Sequence, residues 1–271
     1  MTLAAVYTSE FIGWRQLGAL LDAAGLVDIL PRSGRVLIKP NLVADQPPPM
    51  TTPVGLIVEI VSYLRAFRPD CDCVVADGCG SLKYDTWQVF RSQGYTAMAE
   101  AAGVTLIDLN EAPLRRLANS QCRRWPVMYL PEVVLDSFLI SVPVLKAHSM
   151  AGLTLTMKNM VGAAPPAYYQ QDGHWKKASF HEDIQNAVFD LNRYRTPDFT
   201  VLDATVGMPE AHLWGPVCDP PKNRLAVSAD PVAIDAYGAE LLGVDWRQIG
   251  HIYMAHGVLG EAEPLTVCEV K

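Results

Sequence analysis

Val36-Leu-Ile-Lys-Pro-Asn41, then an apolar pattern at Leu56, Ile57, Ile60 and Leu64, then Cys73-Val-Val-Ala-Asp77, is the stretch that decides the fold. The two flanking runs are short, apolar and closed by polar residues, as buried strands are, whereas the middle pattern, starting near Thr52, repeats every three to four residues, as a helix with one buried face does. A strand, a helix and a second strand in that order make two parallel neighbours with a helical crossover.

Working outward, Val104 to Ile107, Phe138 to Val142, Phe199 to Leu202 and Leu225 to Val227 read as further strands with helical patterns between them. The expected fold class is α/β, a mainly parallel sheet with helices on both faces and two lobes around a central cleft. The organisation is a single domain over 1–271, with lobes 1–148 and 178–271 joined by a Gly- and Pro-rich segment, 149–177. Ser179 and Glu182 have the spacing of a capping box ahead of Ile184, Ala187, Val188 and Leu191. Asp230-Pro231 reads as an N-cap with a first-turn proline, and Gly243 as the end of that helix.

Composition limits the function. The 271 residues carry 22 basic and 29 acidic side chains, a formal net charge of −7. General nucleic-acid or anionic-membrane binding needs the opposite balance, so an anion site has to be local. Val133 to Leu145 is the best candidate for a membrane span, and Asp136, Ser137 and Pro143 interrupt it well short of the ~20 residues required. The start, Met1 to Tyr7, has no basic and apolar leader pattern, so the expectation is a cytoplasmic protein without membrane or nucleic-acid partners. Among Cys71, Cys73, Cys79, Cys122, Cys218 and Cys268 there is no C-x-x-C unit, hence no iron–sulfur pattern, and they read as small buried hydrophobes.

Polar residues follow several strands: Lys39 and Asn41, Asp77, Lys146 and His148, Asp203, and Ser228 with Asp230. In open parallel sheets ligands bind outside the strand carboxyl ends, so Lys39, Asn41, Asp77, Lys146, His148, Lys158 and Asp203 are expected to line one cleft. From Ser137 through Gln171 there is no Asp or Glu, yet Lys146 and Lys158 lie within and Lys176 and Lys177 follow. In an acidic chain this makes a local positive field suited to a carboxylate or phosphate. Leu153, Met157, Met160 and Val161 fit one helical face, which puts Thr154 and Lys158 together on another. Lys146 and Lys158 would orient the anion, and His148, beside them, is the candidate acid or base.

His148, His174 and His181 are the candidate ligands for a divalent metal, although no H-E-x-x-H or i, i+4 histidine pair is present. His251 and His256 are expected on a surface helix. Gly78-Cys-Gly80 offers a phosphate-cradling turn without the third glycine of a dinucleotide fingerprint. There is no nucleophile elbow and no P-loop. Gly162 to Trp175 is expected to act as a mobile lid. Asp235 either sits near its own helix N-terminus or reaches back to orient Lys39 or Lys146.

Lys39-Pro40-Asn41, Thr51-Thr52-Pro53, Val75-Ala-Asp-Gly78, Leu145-Lys-x-His148, Met157-Lys-Asn-Met-Val-Gly162, Asp203-Ala-x-x-Gly207-Met and Ser228-x-Asp-Pro-Val-Ala-Ile-Asp235 together resemble the DUF362 family, a domain of unknown function, over about residues 35 to 260. The resemblance adds Thr52, Gly78 and Asn159 to the ligand-binding candidates Lys39, Asn41, Asp77, Asp203 and Asp235. Many members of the family carry a ferredoxin-like module, which implies redox chemistry; the cysteines here do not supply it. His148, Lys158 and Gly162 also fall in places similar to those of a histidine, a lysine and a glycine turn in the N-terminal domain of nickel-pincer lactate racemases. The leading expectation is an enzyme, an oxidoreductase or isomerase, acting on a small anionic metabolite by acid–base or redox chemistry. The alternative is a non-catalytic module that binds a cofactor or docks on a redox partner.

Overall fold

The computed structural model describes residues 4–271, and Met1 to Leu3 of the stretch read for a leader lie outside them. The strands are β1 (Ala4–Glu10), β2 (Gly34–Pro40), β3 (Cys71–Asp77), β4 (Thr105–Asp108), β5 (Leu114–Ala118), β6 (Val127–Pro131), β7 (Phe138–Val142), β8 (Val144–His148), β9 (Gly152–Thr154), β10 (Phe199–Met208), β11 (Arg224–Ser228) and β12 (Leu265–Glu269). Ten of them form one sheet in the order β12-β1-β11-β10-β7-β2-β3-β4, with β8 on β10 and β9 on β8; β5 and β6 make a separate hairpin. The run β10-β7-β2-β3-β4 is parallel throughout. β11 is antiparallel to both its neighbours. This is the mainly parallel α/β sheet expected from the pattern of apolar runs.

Alternation along the strands explains the layers. Val36, Ile38 and Val75 face one hydrophobic cluster with the helix Val54–Phe67, while Leu37, Val74 and Ala76 face another with Phe180, Ala187 and Leu191. A strand buried on both faces has no polar alternation, which is why these runs read as continuous apolar segments.

The chain order across the sheet matters for function. From β2 it moves outward through β3 to β4, then returns to the other side of β2 as β7 and continues to β10. The reversal falls between β2 and β7, where neighbouring crossovers diverge and leave a crevice at the strand carboxyl ends. Pro143 breaks the strand that would otherwise run from β7 into β8, and the backbone resumes on β10, where Asp203 faces Val144. β8 then turns back as β9, with Lys146 opposite Thr154 and His148 opposite Gly152.

Several local expectations change. Leu153 lies in β9 rather than on a helix, and the helical part of this segment is one turn, Thr156–Asn159, followed by a 3-10 turn, Met160–Ala163. The cause is the β8–β9 ladder, which takes the backbone of 152–154. Ser179 does not cap the helix Ile184–Tyr194: its Oγ donates to the Tyr169 carbonyl at 2.7 Å, and Glu182 pairs with Arg124. Residues 178–183 form a 3-10 turn ahead of that helix. The Asp230 cap forms as expected, its carboxylate accepting from the Val232 and Ala233 amides. His251 is buried and bonds Gln185 instead of lying on the surface.

Part of the expected lid is core, while Tyr168, His174 and Trp175 are exposed. Ala163, Ala164 and Tyr169 are buried, and Tyr169 accepts a hydrogen bond from the Tyr129 amide at 2.9 Å. Tyr168 stacks on Tyr129 with ring centroids 3.8 Å apart. No described helix is long and apolar enough to cross a membrane.

Candidate functional site

At the β2/β7 crevice the sequence delivers one polar group per strand end. Lys39, at the end of β2, is fully buried and pairs with Asp77, at the end of β3, at 2.6 Å. The Asp77 carboxylate is held further by the amides of Gly78, at 2.9 Å, and Leu42, at 2.6 Å. Two glycines let this pair pack. A Cβ on Gly162 would lie 2.3 Å from the Asp77 carboxylate and 2.6 Å from Lys39 Nζ, and one on Gly78 would lie 2.6 Å from the Gly162 carbonyl.

Asn159 joins the pair to the rest. Its Oδ1 accepts from Lys39 Nζ at 3.2 Å and from Asn41 Nδ2 at 3.0 Å, while its Nδ2 donates to Ser141 Oγ. Asn41 Oδ1 in turn accepts from Lys146 Nζ at 2.6 Å, and the Met50 carbonyl accepts a second bond from the same ammonium. One network therefore runs Asp77, Lys39, Asn159, Asn41, Lys146. Thr52 supports it from outside: its Oγ1 accepts from the Asn41 amide and donates to the Val142 carbonyl, so it staples β2 to β7.

This network walls an inner cavity of about 60 Å³. Lys39, Asn41, Asp77, Gly78, Lys146, Thr154, Lys158 and Asn159 line it, and Lys177 and His212 complete it. Among the described residues lining it, Asp77 is the one carboxylate, and it is engaged by Lys39. Lys177, buried, bonds the Asn110 side chain and the Ala164 carbonyl. Lys158 has no hydrogen-bonding or ion-pair partner among the described residues. Burial disfavours the ammonium form, bringing Lys146 to about 7, with Lys158 repelling it, and Lys158 to about 8. Burial likewise brings Lys177 to about 7.

The helix turn Thr156–Asn159 carries Lys158 and Asn159, and Asp235 fixes it. The Asp235 carboxylate, fully buried, accepts from the Thr156 amide at 2.7 Å and the Met157 amide at 3.0 Å. This replaces both expectations for Asp235, since it neither serves its own helix nor reaches Lys39 or Lys146. Burial pushes its carboxyl up to about 7, against the opposing pull of those two amides.

Beside the inner cavity, and sharing Lys158, Lys177 and His212 with it, lies an outer chamber of about 160 Å³ lined also by His148, His181, Met150, Trp175 and Trp214. The His148 and His212 rings stack with centroids 4.1 Å apart, and the centroid of the His181 ring stands 5.8 Å from that of His148. Burial first, then the positive charge of Lys158, holds all three imidazoles below their ordinary range: His212 at about 3, and His148 still lower.

The sequence of this protein matches the family described as Domain of unknown function (DUF362) over residues 36–240. The chain belongs to the DUF362 family. Comparison with curated proteins gives no match. Among solved structures, this DUF362 chain is similar to the lactate racemase apoprotein from Thermoanaerobacterium thermosaccharolyticum, with a TM-score of 0.51 and 9% identity over 86% of this chain and 56% of that one. The chain thus spans a little over half the length of that protein, and the likeness is one of fold.

The donor set does not fit a metal. His148 Nδ1 accepts two backbone hydrogen bonds, from Met150 and Ala151, both at 3.1 Å, so the neutral ring carries its proton on Nε2 and has no free lone pair there. His174 is exposed and outside both chambers. Among the described residues no three His, Cys, Asp or Glu side chains converge as metal ligands do.

Asp203 does not join the cleft. β10 continues five residues beyond it, and its buried carboxylate accepts from the Thr205 amide and hydroxyl. Sequence reasoning passed over Lys177 as a cavity residue and His212 altogether. Both come from loops, and in sequence Lys177 offered only its place after the acid-free segment.

Proposed function

We propose that this DUF362 chain is an enzyme that binds a small anionic metabolite, a carboxylate or phosphate, in the inner cavity and moves a proton on it at the boundary of the two chambers. The observation that carries this reading is the convergence of Lys146, Lys158 and Lys177 on one cavity whose single carboxylate is already paired with Lys39. Two buried amines and a half-buried one with no carboxylate of their own are costly unless an anion completes them. A volume of about 60 Å³ exceeds the ~10–15 Å³ that one water requires, and suits an acid head group.

The roles follow from the hydrogen-bond accounting. Lys146 and Lys177 each donate to two neutral acceptors that fix the amine in place, so they hold the anion. Lys158 donates to none, and an amine with no hydrogen-bond partner is free to take a proton from a bound ligand, which makes it the candidate base. His148, with its proton on Nε2, serves as a neutral donor toward negative charge developing on the substrate, a role a neutral imidazole can fill. This assigns His148 the opposite role to a base, because its Nδ1 is already occupied.

Titration calorimetry with acetate and inorganic phosphate tests the reading. Binding should be weakened at least about tenfold by Lys158→Met and should fall with added salt. Equal affinity in the wild type and in Lys158→Met would overturn it.

A further inference from the structure

The outer chamber differs in kind from the inner cavity. Trp175 and Trp214 stand at it with 41% and 68% of their surface exposed, beside Met150 at 54%. Large apolar side chains gathered in the open around one concavity mark a surface that a ligand covers. The same chamber holds polar groups with nothing to bond. His148 is only 4% exposed, and its Nε2, the nitrogen that carries the proton, has no partner. Nδ1 of His181 and Nδ1 of His212 are likewise buried and unpartnered. A buried imidazole donor without an acceptor is uncommon in native folds, and a ligand atom that accepts from it accounts for it. The chamber is also continuous with the lysine cavity, since Lys158, Lys177 and His212 line both.

From this juxtaposition we propose that the ligand is an aryl or heteroaryl acid. Its carboxylate or phosphate lies among Lys146, Lys158 and Lys177, and its flat ring lies in the outer chamber against Trp175, Trp214 and the His148–His212 stack. The ring supplies the apolar face that covers the two indoles, and offset stacking on indole and imidazole favours a planar group over an aliphatic chain of equal area. A ring or side-group acceptor accepts the hydrogen bond that His148 Nε2 donates. A simple aliphatic acid would fill the inner cavity and leave the outer one wet. The proposal rests on the anion reading above, and names the class of molecule that the same site takes.

The test compares matched probes by titration calorimetry on the full chain: acetate against phenylacetate, and inorganic phosphate against phenyl phosphate. The aryl member of each pair should bind about tenfold tighter or more, the effect of burying roughly half a ring. Trp214→Ala and Trp175→Ala should bring that ratio close to one. If acetate and phosphate bind but the aryl probes gain nothing, the ring site is overturned and the anion reading stands. If no probe of either kind binds, the anion reading itself falls and takes the ring site with it. An aryl advantage that survives both tryptophan replacements would place the ring elsewhere and overturn the proposal. Because the ratio is measured in the wild type as well, a variant that fails to fold does not remove the test.

Discussion

Replacing Lys158 with methionine should make the ligand-free protein more stable while it weakens anion binding. Lys158 contributes no hydrogen bond or ion pair to the described structure, yet its amine is placed where burial lowers its proton affinity to about 8 from the ordinary 10.5. At 25 °C that gap corresponds to ~3 kcal/mol of unfavourable free energy carried by the folded state. The side chain is only half-buried and lines both cavities, so solvent screening reduces the expected gain to roughly 1–2 kcal/mol. Methionine keeps the length and apolar contacts of the stem and removes the charge. The unfolded chain binds the lysine proton more tightly than the folded one, so the penalty is present in full below about pH 8 and fades as pH rises toward 10.5. Urea unfolding of both proteins at pH 7 and again near pH 10 measures this directly. The midpoint of Lys158→Met should exceed that of the wild type at pH 7, and the difference should shrink at the higher pH. A variant less stable than the wild type at pH 7, or a gain that does not change with pH, would refute the reasoning.

Anion binding should take up protons, because the ligand restores the charged forms of Lys146 and Lys177, both at about 7 when free, and affinity for phosphate or acetate should decline as pH rises from 7 to 9; calorimetry in buffers of different ionisation enthalpy reads the uptake. Lys39→Met strands the Asp77 carboxylate in a site where both partners are buried, and should cost ~3–5 kcal/mol in chemical denaturation, part of which Asp77→Leu on the same chain should restore. The Asp235 carboxyl, raised to about 7, makes the folded state bind more protons than the unfolded one between about pH 4 and 7. Wild-type stability should therefore fall across that interval relative to Asp235→Asn, which has no such titration, and thermal melts of the two proteins at pH 4.5 and 7 compare them.

The pattern of the sequence made the centre of this fold legible, since β2 and β3 are short apolar runs that lead into polar residues, and β7 and the start of β10 are apolar runs buried in the same sheet. The edges were not legible in the same way. β1 alternates buried and partly exposed residues, and β5 carries Arg115 and Arg116, both exposed, so neither forms an apolar run. β8 escaped notice because it follows β7 across a single proline, and β9 has only three residues. The site divides by the same physics. Lys39, Asn41 and Asp77 stand at or just past strand ends, and the rule that places ligands at carboxyl ends of parallel strands gathers them from sequence alone; Lys146 follows the apolar run of β7 and is gathered with them, although it lies within β8. Asp203 shows how that rule fails: the apolar run stops at Leu202, but the ladder with β11 and β8 carries β10 on to Met208, so the residue is mid-strand and not at an end. Lys177, His181 and His212 reach the site from loops and a 3-10 turn, and no local period announces tertiary placement of that kind.

The stretch from Ser137 to Gln171, which carries Lys146 and Lys158, has no Asp or Glu. In a chain with seven more acidic than basic side chains, local stability alone would favour carboxylates near buried lysines. Here Lys39 has one, Asp77, while Lys146 and Lys177 have neutral acceptors and Lys158 has none. Neutral oxygens hold an ammonium in place without cancelling its charge, so two lysines are positioned and remain attractive to an anion. Asp235 shows the same economy from the other side. Its charge goes to the amides of Thr156 and Met157, fixing the turn that carries Lys158 without contacting the lysine itself. The carboxylates near this site thus shape its frame, and the lysine charge they leave uncancelled is the feature on which the proposed anion site rests.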